Sequence, residues 1–185
     1  MDDCHPLRRS SFSPTRLLDL GESDTDEVRL IETRDGHCVS SYVALSYCWG
    51  PADAARTQLK TESHTLQKRK HGIPNQIMSR VMQDAIKTTR LLSLRYLWID
   101  ALCIVQDDND DWEKEAASMG QVYSNAALTL CALSSSSCHE GFLQRTSAVF
   151  SIPFQSSINS AISGSYTLRA SPVAGKWVSE NSRTR

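Results

Sequence analysis

The spacing of apolar residues changes along the chain, and each change of period predicts a different element. Short apolar runs in "RLLDLG" and "VRLIET", on either side of the acidic "ESDTDE", predict two strands that form a hairpin. "SYVALSYCWG" has β-branched, aromatic and aliphatic residues at odd and even positions alike, which is typical of an interior strand covered on both faces. Gly50-Pro51 ends that strand.

Helical spacing follows in two later segments. From residue 74 to residue 94, apolar residues recur every three or four positions, with a proline acceptable in the first turn. "RYLWIDALCIV" then predicts a buried strand, with a turn as a possible extension of it before the acidic loop. A second helix is predicted from Asp111 to Asn125, with Asp110 as its N-cap.

The order of these elements predicts an α/β fold. "AALTLCAL" is the next strand, "FSIPF" and "SYTLRA" are weaker strand candidates, and the last dozen residues carry no clear pattern. Strands that alternate with helices form parallel sheets, so we expect a three-layer core with helices packed on a parallel sheet. Ligand sites gather at the carboxyl ends of such strands. The segments that lie there are "SYCWGP", "DALCIVQDDND" and "SSSSCHEGF".

Composition and charge narrow the class of protein. A chain of 185 residues with 40% apolar residues can bury one core, with residues 1–13 as a frayed lead. A net charge of −1 argues against the basic face that nucleic acids require. No apolar run reaches the roughly eighteen residues that span a bilayer, and there is no secretory signal. We expect a cytoplasmic protein without a membrane span, and "QKRKH" at 67–71 as a solvated loop or helix face.

The cysteines show no CxxC pair, and several lie within apolar runs. A thiol in such a run behaves as a small hydrophobe. We therefore expect buried, reduced thiols rather than disulfides or a zinc site. The six cysteines are Cys4, Cys38, Cys48, Cys103, Cys131 and Cys138.

Two carboxylates stand where apolar residues are expected. Asp100 follows "YLWI" and must be hydrogen-bonded or solvated by a cleft, so it either shapes the next turn or belongs to a site. Glu115 shares a helical stripe with Trp112, Met119 and Val122. A carboxylate buried there needs a partner or takes up a proton, as general acids and bases do. The alternative is a first-turn glutamate that is favoured by the helix dipole and reaches into solvent.

Other local motifs are weak or missing. The loop "DDNDD" lacks the Gly and Glu that an EF-hand needs at its sixth and twelfth positions. A looser magnesium site at Asp107 and Asp108 is the alternative to a solvated loop with a helix cap, and we expect no metal centre. No GxSxG, GxGxxG or GxxxxGK motif occurs. Trp49 beside Gly50 is either a stacking platform for a flat ligand or a core aromatic residue.

Two blocks, "YVALSYCWG" and "RYLWIDALCIVQDDNDDWEKEAASMGQVYSNAALTLCA", strongly resemble the fungal heterokaryon incompatibility (HET) domain. Further blocks extend the resemblance over about residues 16–146, in the family's order and spacing. We therefore expect the domain over residues 14–150. Residues 151–185 depart from the family's C-terminal pattern and are expected to be a diverged or truncated part.

The resemblance implies a domain that triggers programmed cell death after non-self recognition between fused fungal cells. The family's distant link to TIR domains implies either cleavage of the glycosidic bond of NAD, as a substrate and not a bound cofactor, or assembly as a scaffold. For cleavage, Glu115 and Asp100 are the candidate catalytic acids, and Glu140 lies nearer to the place of the TIR glutamate. Tyr47 or Trp49 is the candidate aromatic residue. The other candidate ligand-binding residues are Ser46, Gly50, Cys103, Gln106 and Asp107.

A non-enzymatic module is the main alternative. In that case the domain associates with itself or with another incompatibility protein. The complex then recruits a separate protein that kills the cell, and the acidic residues have only a structural role. Replacing Glu115 by Gln should abolish turnover and toxicity in the enzyme and change little in the module. A third alternative is an inactive remnant that folds poorly.

Overall fold

The structure is a computed structural model, and it describes residues 12–23, 27–33, 39, 41–143, 149–159, 161–170 and 177–181. The chain forms two compact units, residues 1–141 and residues 142–185, and each is described by itself. Residues 1–11 of the predicted lead lie outside the described residues. Residue 150, where the domain is expected to end, falls within a strand of the second unit.

The first unit contains a five-stranded sheet in the order β2-β1-β4-β3-β5. β3 is parallel to β4 and β5, whereas β1 is antiparallel to β2 and β4. The predicted hairpin and the interior position of β3 are confirmed. The sheet is mixed rather than parallel throughout, because the N-terminal hairpin adds to β4 by antiparallel pairing. The strands are β1 (Arg16–Asp19), β2 (Arg29–Glu32), β3 (Val43–Ser46), β4 (Tyr96–Trp98) and β5 (Leu128–Cys131).

The α-helices of the described chain lie between these strands. They are α1 (Ala52–Thr57), α2 (Leu66–His71), α3 (Arg80–Leu91), α4 (Asp100–Cys103) and α5 (Asn109–Asn125). α2 packs against β2, α3 against β4 and α4 against β1. The crossovers that carry them are long enough for the parallel pairing around β3. Among the described residues, no helix combines the length and the apolar character needed to cross a membrane.

The first long helix begins later than its apolar spacing predicts. Residues 75–77 form a 3-10 turn, and α3 begins at Arg80 after Ser79. Met78 is extended and buried, while Ile77 is 47% exposed, so the chain breaks here to put Met78 into the core. From Arg80 onward the predicted face is buried, with Val81, Met82, Ala85, Ile86 and Thr89 turned inward.

The segment "RYLWIDALCIV" is not one continuous strand. β4 ends at Trp98, and α4 follows as one turn of helix with Ala101, Leu102 and Cys103 buried. A short apolar run fits a buried strand and a buried helical turn equally well. The carboxyl of Asp100 accepts the N–H of Ala101 at 2.7 Å, which favours the turn.

The helix α5 begins two residues before its predicted start. Asp108, and not Asp110, is its N-cap and accepts the N–H groups of Asp110 and Asp111. Any of these aspartates is a good cap by its own chemistry. The side chain of Asp111, in the first turn of the helix, binds Arg16.

The core of the first unit combines the sheet with α3 and α4. Its most buried side chains include Leu17, Leu18, Leu30, Val43, Leu45, Met82, Leu97, Trp98 and Leu102. The described cysteines are free thiols. Cys103 and Cys138 are buried as predicted, whereas Cys48 and Cys131 are exposed, which corrects the prediction for these two. Cys4 and Cys38 lie outside the described residues.

The second unit is an antiparallel sheet in the order β6-β7-β8. Its strands are β6 (Val149–Gln155), β7 (Ser163–Ala170) and β8 (Trp177–Asn181). The strands predicted from "FSIPF" and "SYTLRA" are confirmed. β8 was not predicted, because it is defined by pairing with β7 rather than by a pattern of its own. The rings of Phe154 and Tyr166 lie 4.8 Å apart across the β6–β7 pair.

Candidate functional site

The segments that follow β3, β4 and β5 meet in space, as the sequence predicts. Trp49, after β3, donates its indole Nε1–H to Oδ2 of Asp100, at the end of β4, over 2.8 Å. The N–H of Cys138, after β5, donates to the carbonyl of Trp49. A Cβ on Gly50 would lie 2.5 Å from the Cβ of Ser137, and the φ of Gly50 is +89°. This close approach therefore requires glycine.

Asp100 is the acid at the centre of this cluster. The carboxyl of Asp100 accepts hydrogen bonds from Trp49 and Ala101 and lies near the hydroxyl of Tyr47. Burial raises the pKa of Asp100, and these three groups offset only part of that rise. A carboxylate in this environment accepts a proton more readily than an exposed aspartate does. The side chain is therefore suited to general-base chemistry.

Tyr47 lies between Asp100 and a buried amide. Its hydroxyl donates to Oε1 of Gln58 at 3.0 Å, and burial together with the charge of Asp100 raises the pKa of Tyr47. Gln58 is 5% exposed, and its Nε2 has no hydrogen-bond partner among the described residues. A buried N–H without a partner is costly, so Gln58 offers a donor that a bound ligand or water would satisfy.

A lysine is held over the ring of Trp49. Nζ of Lys60 lies 5.5 Å from the ring centroid. The adjacent residue, Thr61, is fully buried and is tied to α4 by bonds from its N–H to Ala101 and from its Oγ1 to Leu102. None of the ion pairs in the described part of the chain includes Lys60. One indole thus contacts a cation at its face and a carboxyl at its edge.

Glu115 lies on the buried face of α5, as predicted, and is 3% exposed. Its Oε1 is buried without a hydrogen-bond partner among the described residues. Val122 shares this face, but Trp112 does not, since it is 52% exposed. The structure therefore confirms the burial of Glu115 and corrects the stripe that predicted it.

An ion pair beside Glu115 fixes the end of α4. Arg16 donates to the carbonyl of Cys103 at 3.0 Å and makes two bonds, of 3.0 and 2.6 Å, to the carboxylate of Asp111. Burial lowers the pKa of Arg16, but the bonds to Asp111 and the charges of Asp111 and Glu115 raise it overall. Asp111 also accepts the N–H of Val105 at 2.9 Å. Since α4 begins at Asp100, this pair helps to position the acid of the cluster.

The thiol of Cys103 lies within electrostatic reach of both predicted acids. It is fully buried, and burial raises its pKa to about 12. The charges of Asp100 and Glu115 raise that pKa further, and the charge of Arg16 lowers it. Cys103 is therefore a protonated thiol in the core between the elements that carry the two acids.

Two further predicted residues support the cluster through backbone contacts. Ser46 ends β3, and its carbonyl accepts the N–H of Ala132 at 2.9 Å, which holds the loop after β5. Nε2 of Gln106 donates to the carbonyl of Asp100 at 3.1 Å. Both residues therefore hold the backbone of the site in place, and neither contributes a reactive side-chain group.

The predicted residues Asp107 and Glu140 are exposed carboxylates; Asp107 binds a residue that is distant in sequence, and Glu140 closes a local turn. Asp107 accepts the N–H and the hydroxyl of Ser63, and Glu140 accepts those of Ser136. These bonds lower the pKa of each carboxyl. Over the described ranges, no three His, Cys, Asp or Glu side chains are grouped so that they could hold a metal ion.

A surface cavity of about 290 Å³ lies near the amino end of β4, away from the predicted residues. Its two arginines already have partners: Arg95 binds Asp19 and Glu22, and Arg90 donates to the carbonyl of Leu20 at 2.7 Å. The arginines of the cavity are therefore already bound, whereas the Trp49–Asp100 cluster has an acid of raised pKa and a lysine outside the ion pairs of the described residues. It is lined by Gly21, Glu22, Ser23, Arg90, Ser93, Leu94 and Arg95.

The sequence did not point to Gln58, Lys60 or the Arg16–Asp111 pair. Gln58 and Lys60 lie in the polar segment 52–72, which has no periodicity, and only the fold brings Gln58 to Tyr47 and Lys60 to Trp49. A signal did exist for Arg16, because a charged residue begins the fully buried strand β1 and must have a partner there.

The fold and the cluster define an α/β domain with an acid at the carboxyl ends of its parallel strands. Residues 42–184 match the family model described as Heterokaryon incompatibility protein (HET), so the chain belongs to the HET family. The "Heterokaryon incompatibility protein 6, OR allele" of Neurospora crassa is 33% identical over 120 residues, which is 60% of this chain and 17% of that protein. The chain thus spans less than a fifth of that relative's length. No solved structure matches the chain, so the likeness to TIR domains stays a prediction.

Proposed function

We propose that this protein acts in heterokaryon incompatibility by triggering cell death after non-self recognition, and that it does so in the cytoplasm by hydrolysing NAD. Membership of the HET family and the name of the Neurospora crassa relative support the biological role. The acid cluster at the strand ends supports the reaction, because it combines a carboxyl group of raised pKa with aromatic side chains.

The contact between Trp49 and Asp100 is the observation that carries the proposed reaction. The indole N–H fixes Oδ2 of Asp100 at 2.8 Å, beside the part-buried rings of Tyr47 and Trp49. Oriented carboxylates of this kind stabilise positive charge that develops on a sugar ring. Aromatic surface beside the acid suits a flat leaving group such as nicotinamide.

In the proposed step, the bond between C1′ of the ribose and the pyridinium nitrogen breaks. Its electron pair goes to the nitrogen, so nicotinamide leaves as a neutral molecule. The oxygen of a water forms the new bond to C1′, and one proton of that water passes to the carboxylate of Asp100. The products are nicotinamide and ADP-ribose, and the proton then returns to solvent.

Glu115 is the second acid of the proposal. Oε1 of Glu115 is buried without a hydrogen-bond partner among the described residues, which costs free energy of folding. A purely structural role gives no reason for this cost, whereas functional sites often contain such groups. Both Glu115 and Asp100 act on the thiol of Cys103, so their charges reach the same region. We propose that Glu115 adds to the negative potential that stabilises the charged sugar.

NAD turnover by the purified chain tests this function, with nicotinamide release followed by NMR at low and high protein concentration. We expect Asp100→Asn and Glu115→Gln to abolish release, while Glu113→Gln, which changes an exposed carboxylate on the same helix, retains it. Thermal melting shows whether each variant is folded. A folded wild-type chain that consumes no NAD at any concentration would contradict the proposal.

Self-association is the second candidate function, and the free edge of the five-stranded sheet favours it. Among the described residues β5 pairs only with β3, and Leu128 and Leu133, within and beside it, are 41% and 80% exposed. An exposed apolar edge strand can pair with a second copy of the chain. Such an assembly would recruit another incompatibility protein as executioner.

Sedimentation and a fungal toxicity assay separate the two functions. For the module, Leu128→Asp with Leu133→Asp should dissociate the assembly and silence toxicity, while Glu115→Gln leaves toxicity intact. Leu91→Asp is the matched control, because Leu91 is a 72% exposed leucine at the end of α3. Toxicity that survives the edge variants but not Glu115→Gln would reject the module.

A further inference from the structure

The surroundings of Lys60 make it a cation with an unused charge at the candidate site. Its Nζ contacts the face of Trp49, and none of the ion pairs within the described ranges includes it. A cation over an aromatic face is held weakly in comparison with a cation bound to an anion. Lys60 is therefore free to exchange the ring for an anionic group of a ligand.

The position of this cation is set by the fold. The neighbouring residue Thr61 is 0% exposed, its N–H donates to Ala101 at 2.9 Å, and its carbonyl accepts the N–H of Gln106 at 2.8 Å. The carbonyl of Lys60 itself accepts from Arg69 at 3.3 Å. The backbone that carries Lys60 is thus bound to α4, the helix that begins with Asp100.

Lys60 and Asp100 contact the same indole, one at its face and the other at its edge. One indole thus brings a cation and a carboxyl into the same neighbourhood. In a pyridine dinucleotide, the nearest phosphate lies one ribose away from the glycosidic carbon, so a ligand whose glycosidic carbon is at Asp100 has an anionic group close to that carbon.

We propose that Lys60 forms a phosphate subsite beside Asp100, which makes the substrate of this site a nucleotide with a diphosphate rather than the free nucleoside. The inference rests on the proposed function, because that function sets the glycosidic carbon at Asp100. Gln58, whose buried Nε2–H has no partner among the described residues, supplies a second donor on the same segment.

Binding measured without turnover tests the subsite. The indole Nε1–H of Trp49 gives its own NMR signal, assigned by its loss in Trp49→Phe, and it responds to ligands at either Lys60 or Asp100. The titrations with NAD, nicotinamide riboside and inorganic pyrophosphate are carried out in the Asp100→Asn background, which should bind these ligands without hydrolysing them. Each lysine variant is compared with the wild-type lysine in that background. We expect Lys60→Gln to weaken NAD and pyrophosphate binding by about tenfold or more, the usual effect of losing a charged hydrogen bond.

Two controls accompany these titrations. Lys60→Arg keeps the positive charge and should keep most of the affinity for NAD, and Lys87→Gln removes an exposed lysine on α3 and should change nothing. Nicotinamide riboside carries no phosphate, so its affinity should be the same for Lys60→Gln and for the wild type. Equal NAD affinity of Lys60→Gln and the wild type overturns the subsite.

Nicotinamide release measured on the same lysine variants with Asp100 intact separates this inference from the function on which it rests. Hydrolysis with a KM for NAD that is unchanged in Lys60→Gln refutes the subsite and retains the hydrolase. NAD binding that depends on Lys60, without any release by the wild type, refutes the hydrolase and retains the subsite. If the chain with Lys60 intact neither binds NAD nor releases nicotinamide, both are refuted.

Discussion

Burial and the neighbouring polar groups shift the pKa of Asp100 in opposite directions, and their balance determines how readily its carboxylate accepts a proton. Burial favours the protonated carboxyl, while the N–H groups of Trp49 and Ala101 and the hydroxyl of Tyr47 favour the carboxylate. Burial is the larger effect, so the pKa is raised although every described hydrogen bond opposes the rise. The carboxylate of Asp100 therefore stays a better base than an exposed aspartate. If the polar groups cancelled the effect of burial completely, its pKa would be that of an ordinary, weakly basic aspartate.

The pH dependence of NAD hydrolysis follows from this balance. A general base must be ionised, so activity should be lost as the pH falls through the raised pKa of Asp100, above the ordinary aspartate value of about 3.9. Tyr47→Phe removes a hydroxyl group that lowers the pKa of Asp100 and should move this acid limb to higher pH. Profiles of kcat against pH for the two proteins measure the shift.

Tyr96→Phe is the control for this experiment, because Tyr96 is a part-buried tyrosine of β4 outside the cluster. Its acid limb should coincide with that of the wild type. An acid limb that does not move in Tyr47→Phe would show that Tyr47 does not act on the catalytic carboxyl.

At the scale of elements, the turn after β3 and the helical turn α4 build the site together. The turn brings Trp49 over the end of β4, and the Gly50–Ser137 approach closes it against the loop after β5. α4 is held by the bonds from Arg16 to the carbonyl of Cys103 and to Asp111. Short elements with such cross-links keep a site rigid, because a single turn has little stability of its own.

Gly50→Ala tests the importance of the turn. The left-handed φ of +89° costs alanine about 1–2 kcal/mol, and the added Cβ would also collide with Ser137 at 2.5 Å. We expect at least that loss in the free energy of unfolding, measured by urea denaturation, together with loss of the Trp49–Asp100 contact. Gly120→Ala on α5, where no atom lies within 4 Å of the new Cβ, should instead stabilise by up to about 1 kcal/mol. A Gly50→Ala chain as stable as the wild type would refute the close approach.

At the scale of the whole molecule, the antiparallel hairpin is joined to the parallel strands by one buried carboxylate. Asp19 is 2% exposed and binds Arg29 of β2 and Arg95, which precedes β4. Burial alone raises the pKa of Asp19, but the bonds from Arg95, the N–H of Gly21 and Arg29 outweigh it and lower the pKa to about 2. Charge pairing therefore holds together strands that are distant in sequence.

The lowered pKa of Asp19 predicts how stability changes with pH. The unfolded value is near 4, so the contribution is fully present above about pH 4 and is lost as the pH falls through about 2. Asp19→Asn should cost about 2 kcal/mol at pH 7 and progressively less toward pH 2. Urea unfolding at several pH values measures this, with Asp110→Asn, an exposed aspartate on α5, as the control. A destabilisation that is the same at pH 2 and pH 7 would exclude the linkage.

Apolar patterning alone determined the hairpin, the interior position of β3 and the buried face of α3, because periodicity reports directly which side chains leave water. The HET family was likewise recognised from the blocks around "SYCWG" and "WIDALCIVQDD", and the convergence of the strand ends followed from the alternation of strands and helices. Glu115 was identified as a buried acid, although Trp112 proved to lie outside its stripe.

Only the tertiary structure decided the elements and contacts that depend on distant residues. In the first turn of α5, which Asp108 caps, Asp111 binds Arg16, which is far away in sequence. The short run after Trp98 became a helical turn rather than more strand, since its own pattern fits both. Lys60 reached Trp49 from a segment without periodicity. Local spacing encodes burial, whereas pairing of charges and polar groups is fixed only when the folded chain brings them together.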